Sequence, residues 1–128
     1  MENKRGMGIY AKFYPDVYKK TIDMAEFLNK AFRKSGIAKG LVSVAEDINS
    51  ELAGILALVV ESSLSPEKDV KIKMIEGISL RLRKARVGID YMYRLRCLTD
   101  GEVKVLAEKG LELAKMMEQW KKRTREAV

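Results

Sequence analysis

Apolar residues recur at intervals of three and four along most of the chain, which is the spacing of amphipathic helices. No segment alternates between apolar and polar residues as a half-buried strand would. Four long intervals with helical spacing are separated by short turn signals. The pattern therefore predicts an all-α chain with four helices.

The positions that repeat with this spacing form one apolar stripe on each predicted helix, and these stripes are the candidate core. In chain order they are Val17, Thr21, Met24, Leu28 and Ala31; Leu41, Ala45, Ile48, Leu52, Ile55, Leu56 and Val59; Met74, Ile78, Leu82, Ala85, Ile89 and Met92; and Val103, Leu106, Ala107, Gly110, Leu113, Ala114 and Met117.

Residues that favour helix ends lie between the stripes. Asp16 is a candidate N-cap of the first helix, and Ser35-Gly36 is a stop signal for it. Ser65 followed by Pro66 predicts an N-cap and a first helical position for the third helix. Thr99 and Glu102 have the spacing of a capping box, which predicts the start of the fourth helix.

Four helices joined by short connections favour an antiparallel up-down-up-down four-helix bundle. We assign residues 16–128 to this bundle domain. Residues 1–15 contain two glycines and several aromatic residues, and we predict an irregular N-terminal arm there.

The composition excludes several chemistries. The chain has 128 residues, no histidine and one cysteine, so it cannot build a Ser-His-Asp or Cys-His catalytic pair or a Cys₂His₂ zinc site. The predicted core stripes also lack aspartate and glutamate. We therefore expect no catalytic residues, no metal, no cofactor and no enzymatic activity.

The chain also lacks the signals of membrane insertion or export. Its longest apolar stretch, Ile55 to Val60, is far shorter than the ~20 residues that span a bilayer. The first residues lack the apolar region of a secretory signal. We expect a cytoplasmic protein without a membrane partner.

The net charge of +7 is unevenly distributed. Residues 41–65 contain four acidic and no basic residues, whereas residues 79–98 contain six basic residues and one acid, Asp90. A surplus of cations predicts contact with RNA or DNA phosphates; the alternative is a set of solvated charges that complement neighbouring helices. The candidate nucleic-acid-binding residues are Arg81, Arg83, Lys84, Arg86, Arg94, Arg96, Lys121, Lys122, Arg123 and Arg125.

The third helix carries a second apolar stripe on the side opposite its core positions, formed by Leu80, Val87, Tyr91 and Leu95. A single four-helix chain would leave this stripe in water, so it predicts an oligomer interface. Gly77 and Gly88 lie on or near the same side and would let a neighbouring helix approach closely. The alternative is a third helix buried on all sides.

The run from Leu80 to Arg83, the segment 93–99 and the Met-Met-Glu-Gln-Trp sequence at 116–120 resemble the accessory variability determinant (Avd) proteins of diversity-generating retroelements. The basic segment 33–39 is similar to that family's connection between its first two helices. The resemblance implies a basic four-helix bundle that assembles as a homopentamer and binds a reverse transcriptase and its template RNA.

Two hypotheses follow. The first is a non-catalytic accessory subunit that binds the reverse transcriptase and the template RNA or its cDNA during mutagenic reverse transcription. The alternative is a scaffold of the type encoded in ribosomal RNA intervening sequences, with a protein-interaction role and no reverse transcriptase partner.

Overall fold

A computed structural model describes residues 16–127 of the chain, and these residues form four α-helices without a β-strand. The helices are α1 (Asp16–Ser35), α2 (Val42–Leu64), α3 (Lys68–Arg94) and α4 (Asp100–Glu126). One 3₁₀ turn at Lys39–Leu41, which the apolar pattern did not predict, leads into α2. The all-α class and the order of four helices are confirmed. The predicted arm at residues 1–15 lies outside the described residues.

Two of the predicted helix ends are confirmed. At the start of α4, the Thr99 hydroxyl accepts a hydrogen bond from the Glu102 backbone N–H at 3.1 Å, and the Glu102 carboxylate accepts one from the Thr99 N–H at 2.9 Å. At the end of α1, Gly36 adopts a positive φ of 74° and donates its N–H to the Phe32 carbonyl. This left-handed conformation is the one that glycine adopts readily after a helix.

The predicted start of α3 was wrong by about two residues. Ser65 does not cap α3; it is extended and ends α2, because its N–H bonds to the Glu61 carbonyl at 3.0 Å. A residue before proline is restricted to extended conformations, which agrees with this geometry. Helix α3 begins at Lys68 with Glu67 as its N-cap residue. Asp16 lies in the first turn of α1, and its N-cap role stays a prediction because residue 15 lies outside the described residues.

The four helices pack around one apolar core as a four-helix bundle. Consecutive helices contact one another, and α1 also contacts α4, which closes the arrangement. Among residues 16–127, the core has two buried polar residues, Thr21 and Ser62, and each donates its hydroxyl hydrogen to a carbonyl of its own helix. Most residues of the four predicted stripes are buried. The exceptions include Met74, which is half-buried, and Ala107, which is exposed, while Ile75 is fully buried although the stripe omitted it.

Several contacts fix the pairing of the helices. Between α2 and α3, Glu51 pairs with Arg81, Ile48 lies against Gly88 and Leu58 lies near Gly77. Between α1 and α4, Lys20 pairs with Glu112 at 2.9 Å and Asp23 pairs with Lys109.

Gly77 and Gly88 face α2 of the same chain. A Cβ atom at Gly88 would lie 2.6 Å from Ile48 Cγ1, and one at Gly77 would lie 3.5 Å from Leu58 Cδ1. The helix that packs closely against these glycines is therefore α2 of the same chain. This corrects the interpretation of Gly77 and Gly88 as contact points for another chain.

Candidate nucleic-acid and subunit interface

The ten candidate nucleic-acid-binding residues do not form one continuous patch. Those of α3 are spread along that helix and the connection after it, whereas the four of α4 lie in its last two turns. Three of the ten side chains are paired with acids: Arg81 with Glu51 at 3.2 Å, Arg94 with Asp90 at 2.9 Å, and Lys121 with Glu76 at 3.4 Å. Among the described residues, the other seven have no acidic partner.

Arg81 is directed toward α2. Its guanidinium lies over Gly54, where a Cβ atom would collide with it, and Nη1 donates to Glu51 Oε1. A glycine on α2 therefore makes room for a cation from α3. This arrangement makes Arg81 part of the contact between the two helices, which agrees with the alternative that some arginines complement a neighbouring helix.

Arg86 lies on the opposite side of α3 and crosses toward α4. The Cδ and Nε atoms of Arg86 would each be 3.3 Å from a Cβ atom at Gly110, which is buried on α4. The absence of a side chain at Gly110 lets the arginine lie close to the α4 backbone. Arg86 and Arg81 thus flank the core stripe on opposite sides, as the helical spacing predicts.

Arg83 and Arg86 border an open groove between α3 and α4. The groove has a volume of about 410 Å³. Its apolar surface comes from both helices, and its arginines come from α3. The lining includes Arg83, Arg86, Val87, Val103, Leu106 and Ala107. Asp90, the one acid among the described residues that line the groove, is bonded to Arg94, so the two arginines keep their charge available to a ligand.

Arg94 and Arg96 lie where α3 ends and the chain turns into α4. Arg96 has a φ of 65°, and it is the one non-glycine residue with positive φ in the part of the chain that the structure describes. The Tyr93 hydroxyl donates to Asp100 Oδ1 at 2.7 Å across this turn, which raises the pKa of Tyr93 above its usual value. The hydrogen bond to Asp90 likewise raises the pKa of Arg94.

The structure adds cations that the sequence pattern did not select. Ser35 donates its hydroxyl to the Cys97 carbonyl at 3.1 Å, which brings the end of α1, with Arg33 and Lys34 exposed, close to the connection that holds Arg96. At the other end of the bundle, Lys68 Nζ donates to the Arg125 carbonyl at 3.1 Å. Only the packing of the helices brings these residues together, since each pair is far apart in sequence.

The predicted oligomer interface is exposed in the single chain. Leu80 is 49% exposed, Val87 71%, Tyr91 48% and Leu95 45%. Helix α3 is therefore not buried on all sides, which overturns that alternative. Large apolar side chains at this exposure are a surface that a partner would be expected to cover.

The outward face of α2 is chemically opposite to that of α3. Between Ser43 and Glu61 its exposed positions are acidic or small: Ser43, Glu46, Asp47, Ser50, Ala53, Ala57 and Glu61. Val42 and Leu64, at the two ends of the helix, are exposed and apolar. Glu46, Asp47 and Glu61 have no basic partner among the residues described. Two faces of one chain thus carry uncompensated charge of opposite sign.

Residues 16–127 contain no arrangement typical of a metal site or a membrane span. No group of three or more Cys, Asp or Glu side chains is placed there to hold a metal ion. None of the four helices has both the length and the apolarity that crossing a membrane requires.

The chain matches no protein-family model, no curated protein and no solved structure. A functional proposal therefore rests on the surface of the bundle and on the resemblance of the sequence.

Proposed function

We propose that this protein is a non-catalytic accessory subunit of a diversity-generating retroelement. In this role it acts in the cytoplasm as a homo-oligomer, and it binds the reverse transcriptase and the template RNA or its cDNA during mutagenic reverse transcription. The observation that carries the proposal is on α3, where the exposed side chain of Val87 lies beside Arg83 and Arg86, which have no acidic partner among the described residues.

The proposed architecture is an antiparallel up-down-up-down bundle. The contacts between Glu51 and Arg81 and between Ile48 and Gly88 support opposite directions for α2 and α3. The contact between Lys68 and the Arg125 carbonyl supports the same relation for α3 and α4. Short connections between consecutive helices fit this topology.

The nucleic-acid surface that we propose is centred on the groove between α3 and α4. Arg83 and Arg86 supply guanidinium groups, which match phosphate oxygens in geometry as well as in charge. Arg96 and the cations at the end of α4 extend the positive surface in two directions. Arg81 contributes least, because Glu51 already occupies its guanidinium.

Phosphate contacts fix a protein on a nucleic acid without reading its sequence. The proposed subunit therefore binds by charge and shape, and the polymerase performs all nucleotide chemistry. Several copies in one assembly would multiply the number of phosphate contacts, which raises avidity. The pentamer is the assembly that the sequence resemblance implies.

Salt dependence of RNA binding tests the nucleic-acid part of the proposal. We expect affinity for a structured RNA to fall steeply between about 50 and 200 mM salt, since each phosphate contact releases counterions. Arg83→Ala/Arg86→Ala should weaken binding and reduce the slope of log K against log salt by about 0.7 to 0.9 for each phosphate that the variant no longer neutralises.

Arg81→Ala is the matched control, because it removes an arginine of the same helix whose charge is already paired. It should leave both affinity and slope close to those of the wild type. Binding that is insensitive to salt, or an Arg81 variant that loses as much affinity as the double variant, contradicts the proposed surface.

Co-purification tests the partners. Affinity purification of the chain from its own cells, with sequencing of bound RNA and mass spectrometry of bound protein, should recover a reverse transcriptase together with one structured RNA. Recovery of other proteins without a polymerase would overturn the proposal and favour a scaffold of the ribosomal intervening-sequence type.

A further inference from the structure

The outward faces of α2 and α3 are complementary in charge and in side-chain size. On α2, the exposed positions that follow one another at intervals of three or four carry acids and small residues. Large residues are absent from this run between Ser43 and Glu61. The α2 face is therefore flat and negative.

On α3, the corresponding face is ridged and, from Leu80 onward, positive. Two exposed acids on this side, Asp69 and Glu76, lie nearer the start of the helix, and Glu76 is paired with Lys121. At 100° per residue from the buried Ile78, Leu80, Val87 and Tyr91 lie at roughly 180 to 220°, and Lys73 and Lys84 lie at roughly 220 to 240°. All five side chains are exposed, and neither lysine has an acidic partner in the described part of the chain.

These two faces cannot meet within one chain. The contact between α2 and α3 of the same bundle uses other sides of both helices, where Glu51 meets Arg81, Ile48 meets Gly88 and Leu58 approaches Gly77. Both outward faces point away from the core. A second copy of the chain is therefore needed to bring them together.

We infer that the outer face of α3 of one copy docks on the outer face of α2 of a sister copy. Leu80, Val87 and Tyr91 then cover the small residues Ser50, Ala53 and Ala57, while Lys73 and Lys84 approach the carboxylates of Glu46, Asp47 and Glu61. This inference rests on the oligomer of the proposed function and specifies its interface.

A symmetric contact of α3 with α3 is a poorer fit, because it would place lysines of the two copies near one another, and like charges disfavour association. Docking of α3 on α2 is a heterologous contact, in which different faces of each copy are used. Such a contact closes into a ring when the rotation between neighbours permits, and otherwise extends as a filament. When α3 docks on α2 in this way, Lys84 lies in the subunit interface and no longer belongs to the proposed nucleic-acid surface.

Reciprocal charge reversal tests the interface, with assembly measured by sedimentation velocity at about 50 mM salt. Lys73→Glu/Lys84→Glu and Asp47→Lys/Glu61→Lys should each weaken self-association at least about tenfold, because like charges then face one another. The fourfold variant that combines both pairs restores opposite charges and should assemble nearly as the wild type does. In an equimolar mixture, each double variant should associate with the other and not with itself, which gives alternating assemblies and no closed pentamer.

Lys19→Glu/Lys115→Glu is the matched control, since both lysines are exposed on α1 and α4 and have no acidic partner in the described residues. It changes the net charge equally and should leave assembly intact. Val87→Asp, at the most exposed apolar position of the ridge, should dissociate the assembly. Circular dichroism establishes that each variant remains helical.

Two outcomes overturn the inference. The first is wild-type assembly by Lys73→Glu/Lys84→Glu, which a symmetric α3 contact would give because like charges face one another before and after the reversal. The second is a folded fourfold variant that stays dissociated. A wild-type protein that is monomeric at all concentrations also overturns it. RNA binding is read separately with Arg83→Ala/Arg86→Ala. If the charge swap fails in a protein that still assembles and binds RNA, the interface is wrong and the proposed function stands. If the charge swap succeeds in a protein that does not bind RNA, the interface stands and the proposed function is wrong.

Discussion

Gly88 of α3 lies so close to Ile48 of α2 that a Cβ atom at position 88 would be 2.6 Å from Ile48 Cγ1. Ile48 is buried and forms part of the core, so it has little room to move away. The absence of a side chain at residue 88 therefore sets the distance between the two helices at this level.

Gly88→Ala should destabilise the fold by about 1 to 3 kcal/mol, because overpacking exceeds the gain of up to ~1 kcal/mol in helix propensity. Urea denaturation followed by circular dichroism measures the change. Gly101→Ala is the control, since a Cβ atom there would meet no atom within 4 Å. If Gly88→Ala stabilises the protein as much as Gly101→Ala does, the close contact between residue 88 and Ile48 does not limit the helix spacing.

The capping box of α4 should make a measurable contribution to stability. Thr99→Ala removes the acceptor of the Glu102 N–H and should lower the free energy of unfolding by about 1 kcal/mol. Thr99→Ser keeps an acceptor hydroxyl and should retain most of that stability. Equal loss in both variants would argue that the threonine methyl group, and not the cap, is responsible.

The hydrogen bond from Tyr93 to Asp100 predicts a dependence of stability on alkaline pH. The bond to the Asp100 carboxylate raises the pKa of Tyr93, so its protonated form is favoured in the folded state. The stability it contributes is fully present below the usual tyrosine pKa of about 10 and is lost as pH rises through the higher folded value.

Tyr93→Phe should therefore lose less stability than the wild type as pH rises above about 10. In NMR titrations, Asp100→Asn should return the Tyr93 pKa toward its usual value. An unchanged titration of Tyr93 in the Asp100 variant would show that the carboxylate is not the cause.

Asn29 and Asn49 join α1 to α2 by reciprocal side-chain hydrogen bonds of 2.8 and 3.0 Å. Each amide also donates to a carbonyl of its own helix, Asn29 to Ala25 and Asn49 to Ala45. Replacing either residue with alanine leaves a half-buried amide without its partner and should cost about 1 to 2 kcal/mol.

The double variant should cost less than the sum of the two single variants, because the second substitution removes the unpaired group. A double-mutant cycle by chemical denaturation measures this coupling. Strict additivity would mean that the two amides act independently.

The helical periodicity was sufficient to predict most of the core, because burial on one face of a helix follows from spacing alone. Leu82 and Met92 were identified in this way and are buried. Helix boundaries were less predictable. Ser65 and Pro66 are compatible with both the end of one helix and the start of the next, and only the hydrogen bond from Ser65 to Glu61 distinguishes these possibilities.

The candidate surface was predictable where it depends on one helix and unpredictable where it depends on two. The exposure of Val87 follows from its position opposite Ile78 on α3. The pairing of Arg81 with Glu51 could not be predicted, because it requires the register of α3 on α2 and the space over Gly54. The Asn29–Asn49 pair was missed for the same reason.

Arg96 combines two requirements at one position. Its backbone adopts the left-handed geometry that Gly36 adopts after α1, although a Cβ atom makes that geometry unfavourable by about 1 to 2 kcal/mol. A glycine would suit the bend better and would remove a guanidinium group from the surface. The arginine at this position therefore places a guanidinium group on the exposed connection between α3 and α4, and the cost is an unfavourable backbone conformation.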